Sequence, residues 1–216
     1  MQITSLRGIS AASKAWLQQA GGPIAAWART LLPSQCAVCR GWPAARVCTA
    51  CVNRFSAPRP RCRTCAAPVA AGVAHCGECL VHPPALDACL AALDYAYPWI
   101  DLIAQFKFAP CDPGWARPLA SLMQRDEAAR DCLADAQLVL PIPLSRERLS
   151  ERGFNQSLLL ARALGVNEKI SSDVLLRLRH TPAQSRLTRR ERLRNLRTSF
   201  AIDPLARTCS MAAAFC

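Results

Sequence analysis

The chain has no run of about eighteen uncharged apolar residues, so no segment is expected to cross a bilayer as a helix. Its first thirty residues carry Arg7, Lys14 and Arg29, but no unbroken apolar stretch ahead of a small-residue cleavage site, so no export signal is expected. Acid is scarce: 15 Asp and Glu stand against 27 Lys and Arg, for a net charge of +12. Most of the surplus lies between Leu144 and Thr198, where 13 basic residues face five acidic ones. That placement predicts a polyanionic ligand, a phosphorylated sugar or nucleic acid. With 51% hydrophobic and 19% charged residues, the 216-residue chain is expected to fold as one core domain plus a small module.

Thirteen cysteines would mark a disulfide scaffold in an exported protein. Without an export signal, a reducing cytoplasm is expected, and closely spaced thiols there more often hold metal. Four Cys-x-x-Cys pairs follow one another: Cys36/Cys39, Cys48/Cys51, Cys62/Cys65 and Cys76/Cys79. Each has zinc-knuckle spacing, in which a tight turn aims two thiolates at one ion at about 2.3 Å. Eight ligands make two closed tetrahedral Zn²⁺ sites, structural rather than catalytic. The segment has few large apolar residues, mainly Val38, Trp42, Val47, Val52 and Phe55, so metal must supply its folding free energy. Two pairings are open. Sequential use (36/39 with 48/51, 62/65 with 76/79) closes only short loops; the crossed arrangement (36/39 with 62/65, 48/51 with 76/79) also has acceptable spacing. A redox Cys-x-x-Cys is disfavoured by four pairs in a row. His75 and His82 flank the last pair and read as surface residues. Six arginines among the pairs (Arg40, Arg46, Arg54, Arg59, Arg61, Arg63) suit neutralisation of the thiolate charge or a nucleic-acid face. Trp42 and Phe55 alone offer base stacking there.

Upstream, residues 1–32 read as weakly helical and broken at Gly21-Gly22-Pro23. Trp16 and Trp27 either pack onto the body or mark a surface for a partner or membrane. The expected location is therefore the cytoplasm, free or peripherally at the inner face of the membrane. Composition changes near Leu86. Ala91 to Tyr97 alternates like a strand, Trp99 to Phe106 has helical spacing, and Trp115 to Met123 reads as a further helix. Cys89, Cys111 and Cys132 lack ligand spacing and are expected to be buried small apolar groups.

The central stretch is Leu138 to Gln156, LVLPIPLSRERLSERGFNQ. Leu138-Val139-Leu140 reads as a strand buried on both faces, stopped by Pro141 and Pro143. Arg146, Arg148 and Arg152 follow in what reads as a basic loop. Gly153 permits positive φ, and Leu158 to Leu164 reads as a helix. A strand ending in a basic loop before a helix suits an α/β phosphate site, where backbone N–H groups and arginine forks converge. Val174-Leu175-Leu176 starts a strand or turn. Arg186, Arg189, Arg190, Arg192, Arg194 and Arg197 then crowd around Glu191, and the segment is expected to be mobile and to close over phosphate.

Two blocks carry a family resemblance. PIPLSRERLSERGFNQ resembles the ComF family, competence-associated relatives of type I phosphoribosyltransferases. RHTPAQSRLTRRERLRNLRTSFAI (Arg179 to Ile202) is similar to that family's R-x-T-x-x-Q-x-x-L…R-x-x-N…F segment. Phe106-Lys107-Phe108 resembles its lysine-bearing element. The resemblance implies a double zinc ribbon at 33–85, behind the helical segment of 1–32, and a phosphoribosyltransferase-like domain with a Rossmann-like parallel sheet at 86–203. It also implies a diphosphate side formed by Lys107, Arg148, Arg152, Gly153, Asn155 and Gln156, with Gln184, Arg192 and Asn195 in the mobile segment. Mg²⁺ and phosphoribosyl diphosphate are the implied cofactor and substrate, transfer at the ribose C1 the implied chemistry, and DNA uptake and transformation the implied context.

The D-D-x-x-T-T-G-x-T loop that holds ribose and 5′-phosphate in such enzymes does not follow Phe200. Residues 204–216 resemble no part of the family; a frameshift or premature stop would produce this pattern. The expectation is a truncated domain with an uncovered apolar sheet edge, marginal stability, no catalytic residue and no productive binding of the diphosphate sugar. The competing expectation is a zinc-ribbon binding module, without catalysis, for single-stranded DNA or a competence helicase.

Overall fold

The computed structural model describes residues 34–42, 44–108, 110–181, 188–196 and 198–204. The helical reading of 1–32 with Trp16 and Trp27, Gln184, and the tail from 205 onward lie outside the described residues. Contacts divide the chain into two units, one ending at Val52 and the other beginning at Asn53. The division falls between the second and third cysteine pairs.

In the first unit, Ser34 and Ala44 form an antiparallel bridge around a tight turn. Arg40 N–H closes that turn on Cys36 O at 2.9 Å, with Arg40 itself at φ 62°. Helix α1 (Thr49–Phe55) begins directly after Cys48 and carries Cys51. The second unit opens with the same device. Arg61 bridges Pro68, Ala66 N–H reaches Cys62 O at 2.8 Å, and Ala66 has φ 59°. Helix α2 (Gly77–Val81) then carries Cys79. A left-handed non-glycine residue costs about 1–2 kcal/mol. Both turns accept it at the residue just past the second cysteine.

The rest of the second unit is mainly helical. Helix α3 (Trp99–Lys107) buries Trp99, Leu102 and Phe106, an i, i+3, i+7 stripe. Trp99 is 1% exposed, and its indole N–H donates to Phe55 O at 2.8 Å. The Phe55 ring in turn meets Tyr97 edge-on at 5.6 Å. A 3₁₀ turn, Pro113–Trp115, is capped by Asp112 and leads into α4 (Ala116–Met123). Asp126 caps α5 (Glu127–Asp135) by accepting from Ala128 N–H at 3.0 Å. Helix α6 (Arg146–Arg152) precedes α7 (Gln156–Ala163), which packs against α4. Gln124 Nε2 donates to Leu164 O at 3.1 Å and fastens the end of α4 to the end of α7.

The helices expected at Trp99–Phe106, Trp115–Met123 and Leu158–Leu164 are present with slightly shifted ends. Other readings change. Ala91 to Tyr97 is not a strand: Tyr95, Ala96 and Tyr97 are all exposed, and Asp94 is held by Arg59 and Arg61 instead of by a ladder. Leu138-Val139-Leu140 is half-buried and contributes one parallel bridge, Val139 to Ile170, through Val139 N–H to Lys169 O and Ser171 N–H to Val139 O. Among the described residues the one sheet is antiparallel, β1 (Leu175–Arg177) on β2 (Phe200–Ile202), with Arg177 opposite Phe200. The expected parallel Rossmann-like sheet is not seen among the described residues; this one bridge is the parallel pairing there, and Pro141 and Pro143 offer no N–H on the same edge to extend it. Cys89, Cys111 and Cys132 are half-buried rather than buried.

The basic loop after Pro143 is in fact α6. Ser145 caps it, its Oγ accepting from Arg148 N–H at 3.4 Å, and Gly153 at φ 77° ends it. The segment expected to be a mobile flap contains α8 (Arg189–Leu196). Thr188 and Glu191 form a capping box there: Glu191 Oε2 accepts from Thr188 N–H at 2.8 Å, and Thr188 Oγ1 accepts from Glu191 N–H at 3.4 Å. One carboxylate thus spends itself on the helix end instead of on the arginines around it.

Trp99→Ala should lower unfolding free energy by about 3–5 kcal/mol in denaturant titration, since it empties the packed centre of α3. Tyr95→Ala, at a residue 66% exposed, should change it by less than about 0.5 kcal/mol.

Candidate metal centres and cation cluster

The eight paired cysteines gather into two groups, Cys36/Cys39/Cys48/Cys51 and Cys62/Cys65/Cys76/Cys79, with all four sulfurs of a group within 4.8 Å of one another. The pairing is therefore sequential, not crossed. Cys39 Sγ lies 3.7 Å from Cys48 Sγ, and Cys65 Sγ lies 3.7 Å from Cys76 Sγ. A disulfide would need about 2.05 Å. A tetrahedron with bonds of about 2.3 Å has edges of about 3.8 Å, so the spacing is that of thiolates around one zinc ion.

The surrounding backbone favours the charged thiolate. Cys48 N–H donates to Cys36 Sγ at 3.3 Å, and Gly41 N–H to Cys39 Sγ at 3.4 Å. Burial pushes the Cys36 thiol up, but the N–H groups of Cys39, Cys48 and Val38 outweigh it and bring the pKa to about 6. At the second site the Cys76 N–H, with those of Cys65 and Thr64, overcomes desolvation and brings Cys62 to about 5. Desolvation and the neighbouring sulfurs push Cys51 up to about 12, and Cys79 also up. The first thiolate at each site is easy to form and the last is not, a conflict that a divalent cation removes. His75 instead pairs its Nδ1 with Thr64 Oγ1 at 3.1 Å, and His82 lies 3.9 Å from Glu78. Neither joins a cluster. The cysteines fit Zn²⁺, which would hold each ribbon closed and leave no coordination position open.

Around α6 a second constellation forms. Arg148 Nη2 donates to Thr181 O at 2.9 Å, and Arg177 Nη2 to Thr181 Oγ1 at 2.6 Å, so two guanidiniums converge on one buried threonine. Arg152 Nη1 donates to Gln156 Oε1 at 3.1 Å, and its guanidinium lies 5.6 Å from the Phe108 ring centroid. Desolvation first and Arg148 second lower the pKa of both Arg152 and Arg177. Lys107, although its side chain reaches solvent, is likewise lowered by desolvation and then by Arg152. Lys107, Arg152, Arg148 and Arg177 thus form a chain of mutually repelling cations. Among the described residues, none of them makes an ion pair with a carboxylate. The nearby Glu147 is turned to His180, Oε2 to Nδ1 at 3.3 Å, while Ser145 Oγ also meets that Nδ1 at 2.8 Å.

The other candidate residues take different places. Gln156 is 6% exposed, and its Nε2 has no partner; the Arg152 bond fixes which end is the amide nitrogen. Asn155 is fully used in structure. Its Oδ1 accepts from Ser157 and Leu158 N–H at 2.9 and 3.3 Å, and its Nδ2 donates to Ile142 O at 3.1 Å. The backbone donors at the start of α7, expected for phosphate, are thereby taken. Gly153 supplies the left-handed turn that sets α6 against α7. Asn195 sits on α8 with a buried, unpartnered Nδ2, and no bond joins it to the cations of α6. Gln184 and the side chain of Arg192 lie outside the described residues. Arg177, Ser145, Thr181 and His180 were not singled out from the sequence. The one local signal for Arg177 was a charge inside a short apolar run.

This arrangement defines a metal-ribbon protein, and comparison agrees: the chain carries a double zinc ribbon domain, matched over residues 27–80. It is 30% identical over 181 residues to a "DNA utilization protein YhgH" of Escherichia coli, covering 80% of this chain and 79% of the relative. The protein of the same name in Salmonella typhimurium matches at the same level. "Competence protein F" of Haemophilus influenzae is 29% identical over 162 residues, 72% of this chain and 69% of its own. The chain belongs to the ComF family. No solved structure matches it. Among the described residues, no helix is long and apolar enough to cross a membrane.

Purified protein should carry two zinc ions per chain by elemental analysis. Stripping them with a strong chelator should abolish the thermal transition of the ribbons, and Zn²⁺ should restore it. An unchanged transition after metal removal would contradict the reading.

Proposed function

We propose that this chain acts in DNA uptake as a ComF-type protein whose α6 cation cluster binds a diphosphate group. The single observation that carries the reading is the set of four cations, Lys107, Arg148, Arg152 and Arg177, with no carboxylate ion pair among the described residues. Leaving like charges together is unfavourable unless an anion takes part. Arginine forks are suited to two-pronged contact with phosphate oxygens, and the unpartnered Gln156 Nε2 adds a neutral donor. The names of the relatives, DNA utilization protein and competence protein, support the DNA context.

On this reading residues 86–203 are a phosphoribosyltransferase-like domain, and the family resemblance adds Gln184, Arg192 and Asn195 to the candidate diphosphate contacts. In intact phosphoribosyltransferases Mg²⁺ screens a leaving diphosphate. These 216 residues contain no D-D-x-x-T-T-G-x-T loop, and the function assigned to their cation cluster is diphosphate binding. The ribbons are structural and serve to present a partner surface, in the cytoplasm or at the inner face of the membrane.

A second reading rests on the ribbon arginines: a binding module for single-stranded DNA or a helicase partner. Its support is weaker. Arg59 and Arg61 are tied to Asp94, and Arg54 lies over Phe55.

Calorimetry separates the readings. Inorganic diphosphate should bind saturably, and Arg152→Ala should weaken it by about tenfold or more, the loss expected for a charge-assisted bond. Phosphoribosyl diphosphate with Mg²⁺ should bind no more tightly than diphosphate. Salt-dependent DNA binding with no response to diphosphate would favour the binding module instead.

A further inference from the structure

A cleft of about 540 Å³ opens beside the second ribbon, apart from the α6 cations. Residues 56–63 form one wall, residues 89–92 another, and the turn from α4 to α5 the third. Zinc ligand Cys62 is part of the lining, so metal binding holds one wall in place. The volume lies in the range of small-molecule sites, roughly 300–1,000 Å³.

The lining has two characters. Pro58, Leu90, Ala91, Ala92 and Leu122 are apolar, with no side chain larger than leucine to fill the space. Arg59, Arg61, Arg63 and Arg125 are cationic. Asp94 takes up the first two, at 3.2 and 2.7 Å. The Arg125 guanidinium donates to the neutral Asn53 Oδ1, at 3.1 Å, and makes no ion pair among the described residues. Arg63 is held through its backbone, by Arg63 N–H to Ala74 O and by Cys89 N–H to Arg63 O. Its guanidinium has no partner among the described residues. Two arginines without an ion pair among the described residues therefore line a cleft whose surface is part apolar and part polar. Glu127 and Asp126 add acceptors at the α5 end, although one Asp126 oxygen caps that helix.

We propose that this cleft binds a nucleoside monophosphate, phosphate on Arg63 and Arg125, base against the apolar lining. The ligand must be anionic at one end and flat and apolar over much of its body. It must also carry hydrogen-bond donors to meet the carboxylates of Asp126 and Glu127. A bare phosphate would leave the apolar lining uncovered, and a fatty acid would offer Asp126 and Glu127 no donor. An amino-bearing base on a phosphorylated sugar satisfies all three, and arginine also stacks well on such rings. The site is independent of the diphosphate reading above, sharing no residue with it.

The test is calorimetric titration of the zinc-loaded full chain with dAMP, deoxyadenosine and inorganic phosphate. We expect dAMP to bind saturably and more tightly than either fragment. Arg63→Ala and Arg125→Ala should each weaken it by about tenfold, while Arg152→Ala leaves it unchanged. Ala92→Trp, which fills the slot without touching a charge, should also abolish binding. Zinc content and circular dichroism of each variant separate lost binding from lost folding. An oligonucleotide ending in the same unit distinguishes a strand end, if it binds more tightly than dAMP, from a free nucleotide, if it does not. Absence of saturable dAMP binding, equal affinity for phosphate alone, or loss on Arg152→Ala but not Arg63→Ala would each overturn the proposal.

Discussion

Four sulfurs confined within 4.8 Å of one another repel as thiolates, and each group of this chain holds its sulfurs that way without a disulfide. The local fold is arranged to make this tolerable only with a cation at the centre. Backbone N–H groups of Cys39 and Cys48 lower Cys36, while desolvation and its neighbours raise Cys51. The strain of a left-handed Arg40 and a left-handed Ala66 is accepted for the same purpose. Since residues 36–79 bury few large apolar side chains other than the cysteines themselves, the metal–sulfur bonds stand in for a hydrophobic core.

The helical region follows a different principle. Its packing, centred on Trp99, Phe106, Trp115 and Leu122, is ordinary apolar burial and leaves polar groups free for other work. The cations of α6 and β1 are held by neutral acceptors: Thr181 for Arg148 and Arg177, and Gln156 for Arg152. Such contacts orient a guanidinium without cancelling its charge. Glu147 is committed to His180 and Glu191 to the start of α8, while Glu151 acts on Arg152 only at a distance, without an ion pair among the described residues. Both the ribbon cleft and the α6 cluster therefore present arginines on a supported frame.

How far the sequence could be read depended on the range of the interactions involved. The cysteine clusters were legible because a Cys-x-x-Cys turn is local, although the sequential pairing needed the 3.7 Å contacts to decide it. Helices α3, α4 and α7 were legible from apolar periodicity. Helix α6 was not, because three arginines in seven residues read as a loop, even though Ser145 and Gly153 mark its two ends. Thr188 and Glu191 were likewise a capping box three residues apart, hidden by the charge run around them. Alternation misled at Ala91 to Tyr97, where Asp94 is held by arginines from the ribbon. Of the candidate site, Arg148, Arg152 and Gln156 came from the resemblance and do lie together. Arg177 did not, since its meeting with Arg148 over Thr181 is a tertiary contact with no local signature.

Metal thus underlies the ribbon half of this protein: it closes both ribbons, and through Cys62 it sets one wall of the adjoining cleft. X-ray absorption at the zinc edge of the purified full chain tests that claim most directly. The account predicts four sulfur neighbours per zinc at about 2.3 Å. A shell containing nitrogen or oxygen, or a folded chain that retains no zinc, would contradict it.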